Sequence, residues 1–387
     1  MNIAIFPSAF HPSLGGVEEL VRQLAHQLVR DGHRVMIATN RWPKTLPERE
    51  DVDGLDVRRY ICRVPERTWK QMGGAILFGP GTLRSVCRDL KEFKADIVHV
   101  ECVSSPAYYA MNAAKRLKLP LVVTLQGELT MDASRIFQKN HFAKQLMRES
   151  LERADAVTGC SAHTLAEGET FVGEKFGPRG FVTPNGVRCA DFEAEPYKHV
   201  RPYIFAIGRH AAQKGFDNLL KAYARIRPQL SQPFDLLLAG DGPERASLEA
   251  LAAELKIKDS AHFVGRKNHD EAVALFLGCE FFVLSSRADE GLPVVSVEAL
   301  AAGAPIVATR SGGTPEAVQD GINGLIIPKD DIDSLAHSML RLASDDALRS
   351  SMRTANRERA HEYDWTRIAI NYVGVYQSAI SKHRAGN

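Results

Sequence analysis

Two glutamates eight positions apart, Glu290 and Glu298, carry the clearest chemical signal in this chain. Glu290 precedes Gly291, Leu292 and Pro293; Glu298 lies in the apolar run behind them, which reads as a helix over 294–302. Continuous helix would set two residues at that spacing about 12 Å apart, and a loop before the helix alters the figure. A hydrolytic carboxylate pair needs roughly 5–9.5 Å across one bond. The spacing therefore suits two contacts on one elongated ligand at least as well as an acid/base pair. A helix N-terminus between the acids would add unpaired N–H groups and positive potential.

Cations are offered by IGRHAAQKGFDNLL, where Gly208 and Arg209 leave the end of an expected strand and Lys214 stands before the next helix with Gly215 as a turn. Two cations at the carboxyl end of a parallel strand can converge on a phosphate or diphosphate, or remain solvated. Acids for hydroxyls, with amides and cations for phosphates, match the groups of a nucleoside diphosphate sugar. Gly15-Gly16 closes the first βα loop and would let a ligand approach the backbone, or merely make a tight connection; it is not G-x-G-x-x-G. Asp241-Gly242-Pro243 reads as a turn and helix start, and Arg266 follows another strand end, where a base could slot against backbone groups. Asp330, Asp331 and Asp333 fit the capped start of a surface helix better than a metal cluster. No divalent-metal site is expected.

These groups need a scaffold. Residues 2–6, 17–30 and 34–39 read strand, helix, strand, a βαβ unit that predicts a parallel sheet. Strand-like runs recur at 97–100, 121–124, 156–158 and 180–183, while 40–95 is less regular, with Gly73-Gly74 and Gly79-Pro80-Gly81 expected to break any long helix. Periodicity lapses around 184–202. A second series then opens, with strands at 203–207, 234–238, 262–264, 281–284, 306–308 and 325–327, each followed by a helical pattern. Residues 345–382 read as helix, kinked near Asp364. The reading is α/β: two Rossmann-like, doubly wound domains at 1–190 and 191–363, then a terminal helix at 364–387, with ligands at the carboxyl ends of the strands.

The chain has 387 residues, more than one ordinary core accommodates, and its hydrophobic (44%) and charged (25%) contents are those of a soluble globular protein. Net charge is +2, which suggests no nucleic-acid partner. Residues 1–190 hold 26 Lys+Arg against 21 Asp+Glu. That excess suits an anionic acceptor or an anionic membrane face; a solvated surface with chance asymmetry is the plainer reading. Six scattered cysteines without CxxC suit reduced cytoplasmic thiols. The start shows no signal-peptide pattern and no apolar run reaches bilayer length, so any membrane contact is expected to be peripheral.

In order, GR-x4-KG (209–215), GDGP (240–243), EGLPVVSVEALAAGAPIVAT and GG-x-PE (312–316), with an N-terminal GGVE loop, resemble retaining nucleotide-sugar glycosyltransferases of the GT-B fold, family GT4. The resemblance spans essentially the whole chain. It implies two Rossmann-like domains facing across a cleft, a terminal helix crossing back to the first, and no metal or other cofactor. The donor would carry a hexose or N-acetylhexosamine on UDP or GDP. The acceptor would be a carbohydrate or lipid-linked hydroxyl, as in bacterial cell-envelope or polysaccharide synthesis. Carried over by motif, Arg209, Lys214 and Glu290 would be the catalytic residues, Arg209 and Lys214 holding the diphosphate and stabilising the departing negative charge and Glu290 binding the donor sugar hydroxyls, while Glu298 would bind the ribose hydroxyls. Backbone N–H groups of the turn through Gly291, Leu292, Pro293 and Val294 would lie near the sugar. Gly15, Gly16, Gly208 and Arg266 would complete the donor contacts, with His11, Glu128, Arg135 and Lys139 on the acceptor side. Where many members have His-Gly, with the histidine on the donor sugar, this chain has Gln126-Gly127, so Gln126 would make that donor contact; it hydrogen-bonds but does not titrate near neutrality. A nucleotide-sugar epimerase or phosphorylase, or a non-catalytic nucleotide-sugar-binding subunit, are the alternatives on the same architecture.

Overall fold

The computed structural model describes residues 1–13, 15–64, 69–131 and 136–386. The chain divides into two compact units, one of residues 1–184 with 365–387, the other of residues 185–364. The first holds an eight-stranded sheet of β1 (Asn2–Pro7), β2 (Arg34–Asn40), β3 (Arg49–Val52), β4 (Leu55–Tyr60), β5 (Ile97–Glu101), β6 (Leu121–Leu125), β7 (Ala156–Gly159) and β8 (Gly180–Val182). Its order is β3-β4-β2-β1-β5-β6-β7-β8, parallel throughout except for the β3–β4 hairpin. The second unit has six strands, all parallel: β9 (Tyr203–Ile207), β10 (Asp235–Ala239), β11 (Ala261–Gly265), β12 (Phe281–Leu284), β13 (Ile306–Thr309) and β14 (Gly324–Ile327), ordered β11-β10-β9-β12-β13-β14.

The same logic produces both sheets. Strands such as β10 (DLLLA) and β12 (FFVL) are buried at every position, as parallel strands covered on both faces must be. Amphipathic helices supply the cover. Phe216–Ile226 buries Leu219, Leu220, Tyr223 and Ile226, and the Tyr223 hydroxyl is satisfied by the Phe234 carbonyl at 2.7 Å. In each sheet sequential strands are laid to one side, then to the other, so the order reverses between β1 and β5 and between β9 and β12. Loops leaving the carboxyl ends of two adjacent strands diverge at such a point, and ligands of doubly wound sheets bind there.

Several elements differ from the reading of residues 40–95. A hairpin, β3–β4, turns at Asp53-Gly54, both left-handed (φ 52° and 84°), and β4 adds to β2. Asp-Gly is a strong hairpin signal between strands, here obscured by the charged β3 sequence REDV. Further on, Trp69–Phe93 is helical straight through Pro80. The proline costs about 3 kcal/mol in a helix interior. Val86, Cys87, Leu90 and Phe93 are all buried on the core, at about 1.5–3 kcal/mol per large side chain, which outweighs the cost.

The chain leaves the first unit after Pro184, somewhat ahead of the expected 190. Residues after it are tied to the end of the second unit: Val187 N–H donates to the Tyr363 carbonyl at 2.8 Å, and Cys189 N–H to the Asp364 carboxylate at 3.0 Å. The segment read as helix over 345–382 comprises Asp346–Ala360, a 3₁₀ turn at His361–Tyr363, and Trp365–Gly386. The last of these belongs to the first unit, where Tyr376 is buried with its hydroxyl 3.0 Å from His99 Nδ1. All six cysteines are unpaired, and burial pushes the Cys62, Cys189 and Cys279 thiols up to about 12, which leaves them inert. Among the described residues no helix is long and apolar enough to cross a membrane.

Candidate active site

The β9/β12 reversal gathers several charged side chains of the second unit. From β9 the chain runs through Gly208 and Arg209 into a 3₁₀ turn, Ala212–Lys214, and then into helix Phe216–Ile226. From β12 it runs through Ser285 to Glu290. These two loops are laced together: the Arg287 N–H donates to the Gln213 carbonyl at 2.8 Å and the Ser285 hydroxyl to the Lys214 carbonyl at 2.9 Å. Across them Lys214 Nζ meets Glu290 Oε2 at 2.8 Å, and the Ser286 hydroxyl donates to Glu290 Oε1. Glu290 is only 5% exposed, so a buried carboxylate has both oxygens engaged, as burial of a charge demands. The Lys214 side chain stays partly exposed. Arg209 is exposed and has no side-chain partner among the described residues, so it is free for an anion.

Two glycines make this closeness feasible. Gly215 (φ +64°) lies where a Cβ would run into the Ser285 carbonyl, and Gly312 (φ +50°) where one would run into the Glu290 backbone. Only glycine serves at either place. The Gly313 N–H then donates to the Glu290 carbonyl at 2.9 Å and the Gly312 N–H to the Asp289 carboxylate at 2.8 Å, so the GG-x-PE turn clamps the loop that bears Glu290. Lys329 pairs with Asp289, and Arg287 bonds to Asp330 (2.6 Å), Asp217 (2.8 Å) and Asn218 (2.9 Å). The sequence offered Asp330 and the GG-x-PE turn but not their pairing with this loop, because each partner lies tens of residues away.

Gly291, Leu292 and Pro293 are buried, and Pro293 is the N-cap of helix Val294–Ala301. The side-chain amide of Asn185 donates to the Leu292 carbonyl at 2.8 Å. Glu298 is the fifth residue of that helix and is half-buried, so the two acids are separated by a loop and one helical turn. Arg266 is exposed at the end of β11, two strands from β9 and apart from the Lys214–Glu290 pair. Between them the Asp241-Gly242-Pro243 turn rests on the His210 backbone, with His210 N–H to the Asp241 carbonyl at 3.0 Å. The His210 ring is fully buried against Phe216 and Phe263, with neither nitrogen hydrogen-bonded. Burial, then the nearby Arg245, holds its pKa below the ordinary value, so it is neutral. Asp331 caps helix Ile332–Ser344 through the Ser334 N–H at 2.9 Å, the role expected for that acidic run.

In the first unit the corresponding reversal, β1/β5, carries a different chemistry. Gly15 is the extended N-cap of helix Gly16–Arg30, and the Glu18 side chain folds back over it. That helix end is thus met by the chain's own carboxylate. His11 is exposed, its carbonyl accepting from Arg59 at 2.8 Å. At the end of β6, the Gln126 side-chain amide donates to Glu101 Oε1 at 2.6 Å, and Gln126 Oε1 has no partner among the described residues. The Gln126 and Val103 N–H groups donate to Glu128 at 2.7 and 3.1 Å, so Glu128 braces the loop around Gln126. Burial outweighs these bonds and pushes the Glu128 carboxyl up to about 6.

Beneath lies a buried polar cluster that the sequence reading passed over. Glu101 Oε2 is 3.2 Å from His99 Nε2, near enough for attraction but not aligned as a hydrogen bond; His99 Nε2 bonds Thr124 Oγ1 at 2.7 Å. His and Glu inside the apolar strand IVHVE were the available signal, since buried polar groups need partners. Of the acceptor-side candidates, Lys139 is exposed at the end of Ile136–Lys139, and Arg135 lies outside the described residues. Arg148, further along in helix His141–Arg153, is committed to the Val172 and Phe171 carbonyls at 2.9 and 3.0 Å.

Known proteins resemble this chain along nearly its whole length. The family profile described as Glycosyltransferase Family 4 matches residues 14–191, and that of Glycosyl transferases group 1 matches residues 188–359. The chain is 26% identical to an alpha-D-kanosaminyltransferase of Streptomyces kanamyceticus over 92% of this chain and 98% of that one. It is likewise 26% identical to a phosphatidyl-myo-inositol mannosyltransferase of Mycolicibacterium smegmatis, covering 94% and 90%. Among solved structures, the sucrose-phosphate synthase of Thermosynechococcus elongatus superposes with a TM-score of 0.76 at 22% identity over 97% and 98% of the two chains. Anabaena HepE, solved in complex with UDP, superposes with 0.77 at 18% identity over 98% and 100%. Two doubly wound parallel units, two family profiles that follow one another along the chain and full-length relatives lead to one assignment: the chain belongs to the group 1, family 4 glycosyltransferases and has their GT-B fold.

Proposed function

We propose that the chain transfers a sugar, a hexose or N-acetylhexosamine, from a nucleoside diphosphate to a hydroxyl acceptor with retention at the anomeric carbon. The carrying observation is the Lys214–Glu290 pair at the β9/β12 reversal, beside the exposed Arg209. Relatives named for sugar transfer and a structural neighbour bound to UDP support the nucleotide-sugar donor, UDP or GDP.

In this reading Arg209 and Lys214 lie along the diphosphate and neutralise the charge that grows as the bond from the anomeric carbon to the phosphate oxygen breaks. Lys214, held by Glu290, and the exposed Arg209 supply the positive charge that a metal ion gives other transferases, so the reaction needs no metal. Glu290 holds Lys214 and offers its oxygens to sugar hydroxyls, Glu298 receives ribose hydroxyls, and the turn from Gly291 to Val294 meets the sugar. The acceptor oxygen bonds to the anomeric carbon on the face the diphosphate leaves, and its proton passes to the departing phosphate oxygen. Glu290 is engaged on both oxygens and does not act as nucleophile. In the first unit Gln126 Oε1, aimed by Glu101, accepts from a hydroxyl, while His11, Glu128 and Lys139 belong to the acceptor side. A groove lined by Arg84, Arg88, Lys91 and Arg116 supports peripheral contact with an anionic cytoplasmic membrane face, which would suit a lipid-linked acceptor in envelope polysaccharide synthesis.

The test is incubation with UDP-, GDP- and ADP-sugars while following slow release of the nucleoside diphosphate. Release that Lys214→Ala and Glu290→Ala abolish supports transfer. Tight donor binding without turnover for any acceptor overturns it in favour of a sugar-binding subunit, and release of an epimerised sugar points to an epimerase.

A further inference from the structure

At the opposite end of the second sheet from the donor loops, three side chains from three separate segments converge. His199 lies in the segment before β9, Asp235 opens β10 and His262 is the second residue of β11. The Nε2 atoms of both imidazoles face one carboxylate oxygen, Asp235 Oδ2, at 2.8 Å (His199) and 3.4 Å (His262). One donor atom from each residue lies within 4.8 Å of the other two. We propose that His199, Asp235 and His262 form a site for a transition-metal dication of the zinc type, distinct from the donor site.

The geometry suits zinc in several respects. Zinc takes imidazole nitrogen and carboxylate oxygen at about 2.0–2.2 Å, so tetrahedral ligand atoms stand roughly 3.3 Å apart. The Asp235–His262 separation is already there, and the Asp235–His199 contact needs to open by about half an ångström. Asp235 is 5% exposed, while both histidines keep a solvent-facing edge, which leaves an entry path and a fourth position for water. The ligands are also held. Tyr197 stacks on the His199 ring (interplanar angle 24°), Tyr203 meets it edge-on, and the Tyr203 hydroxyl is anchored to the Leu275 carbonyl at 2.7 Å. The other carboxylate oxygen, Asp235 Oδ1, accepts from Arg201 at 3.3 Å, the kind of outer contact that orients a ligating carboxylate and leaves Oδ2 to the metal. Two imidazoles and one carboxylate favour a borderline metal over magnesium or calcium.

The five residues of β10 put roughly 13 Å between this end of the strand and the donor end. The metal would therefore take no part in the transfer reaction. Its effect would be to staple the segment before β9 to the amino end of β10 and β11. The site escaped the sequence because His199 and Asp235 are 36 positions apart, with none of the short spacings that mark zinc ligands.

The test uses the full chain without an affinity tag, stripped with a chelator and titrated calorimetrically with Zn2+, and with Co2+ while following its visible absorption. Wild type is expected to bind one Zn2+ per chain, to show tetrahedral Co2+ bands, and to melt at higher temperature with Zn2+ than with chelator. His262→Gln, a half-exposed position, and His199→Ala should each weaken Zn2+ binding by at least about tenfold and abolish the thermal shift. Absence of binding overturns the proposal. So does binding of unchanged stoichiometry and affinity in both variants, which would place the ion on other surface histidines. Neither outcome bears on the donor reading, since sugar transfer is not the readout.

Discussion

The two reversal points of this molecule share a topology and differ in chemistry. Between β9 and β12 one loop carries two cations, Arg209 and Lys214, and the other a buried acid, Glu290, that holds Lys214 in place. Between β1 and β5, and on β6 beside them, the described groups are an amide and carboxylates: Gln126 tethered to Glu101, Glu128 bracing the loop, and Glu18 folded over a helix end. A doubly wound sheet provides a place where loops diverge; what binds there is decided by the side chains the loops carry. In the proposed reaction the cationic point serves the phosphates and the acidic one serves hydroxyls.

The largest expected effect comes from breaking the cationic point. Lys214→Ala should lower kcat by about 10²–10³-fold, whereas Gln126→Ala, which removes one neutral hydrogen bond, should cost roughly threefold to tenfold in kcat/KM. Steady-state kinetics of the two variants on one donor and acceptor checks the ratio. Next are the glycines. Gly312→Ala must place a Cβ against the Glu290 backbone at φ +50°, a cost of about 1–3 kcal/mol in calorimetric stability, with activity lost through the displaced Glu290. Gly16→Ala, with open space around it, should stay within about 0.5 kcal/mol of wild type.

The two regions should also respond to pH with opposite sign. The Glu128 pKa is raised to about 6 from an ordinary 4.5, so the folded state holds its proton more tightly. That contribution favours folding at low pH and is lost as pH rises from about 4.5 through 6. The pKa of His210 is lowered from 6.5, so the folded state resists its proton, and stability is lost as pH falls below about 6.5. Melting temperature against pH should flatten over the first window in Glu128→Gln and over the second in His210→Leu. The smallest effect is on stability at neutral pH. His210→Leu replaces an unpartnered buried ring and should leave stability unchanged or raise it by up to about 1–2 kcal/mol, measured by urea denaturation.

What could be read in advance follows from the range of the physics. The parallel strands announce themselves as short apolar runs, because a strand covered on both faces has no polar side to show. Glu290 and Lys214 stood out through motif and position. Their supports did not: Ser286 looks ordinary, and Arg287 finds Asp217 and Asp330 only through the fold. The β3–β4 hairpin was hidden by charged residues on an edge strand, and the helix through Pro80 by a penalty that packing overrides. Glu101 and His99 were legible as polar residues in a buried strand, yet their link to Gln126 needed the register of β5 beside β6.

The central claim is that the β9/β12 point binds the diphosphate, and titration calorimetry of the nucleoside diphosphate released by the preferred donor tests it most directly. The account predicts that Lys214→Ala weakens its binding by at least about tenfold while Gln126→Ala leaves the Kd unchanged, as expected for loss of a charge-assisted contact in one case and of no phosphate contact in the other. Equal affinity for wild type and Lys214→Ala, or a larger loss in Gln126→Ala, would contradict it.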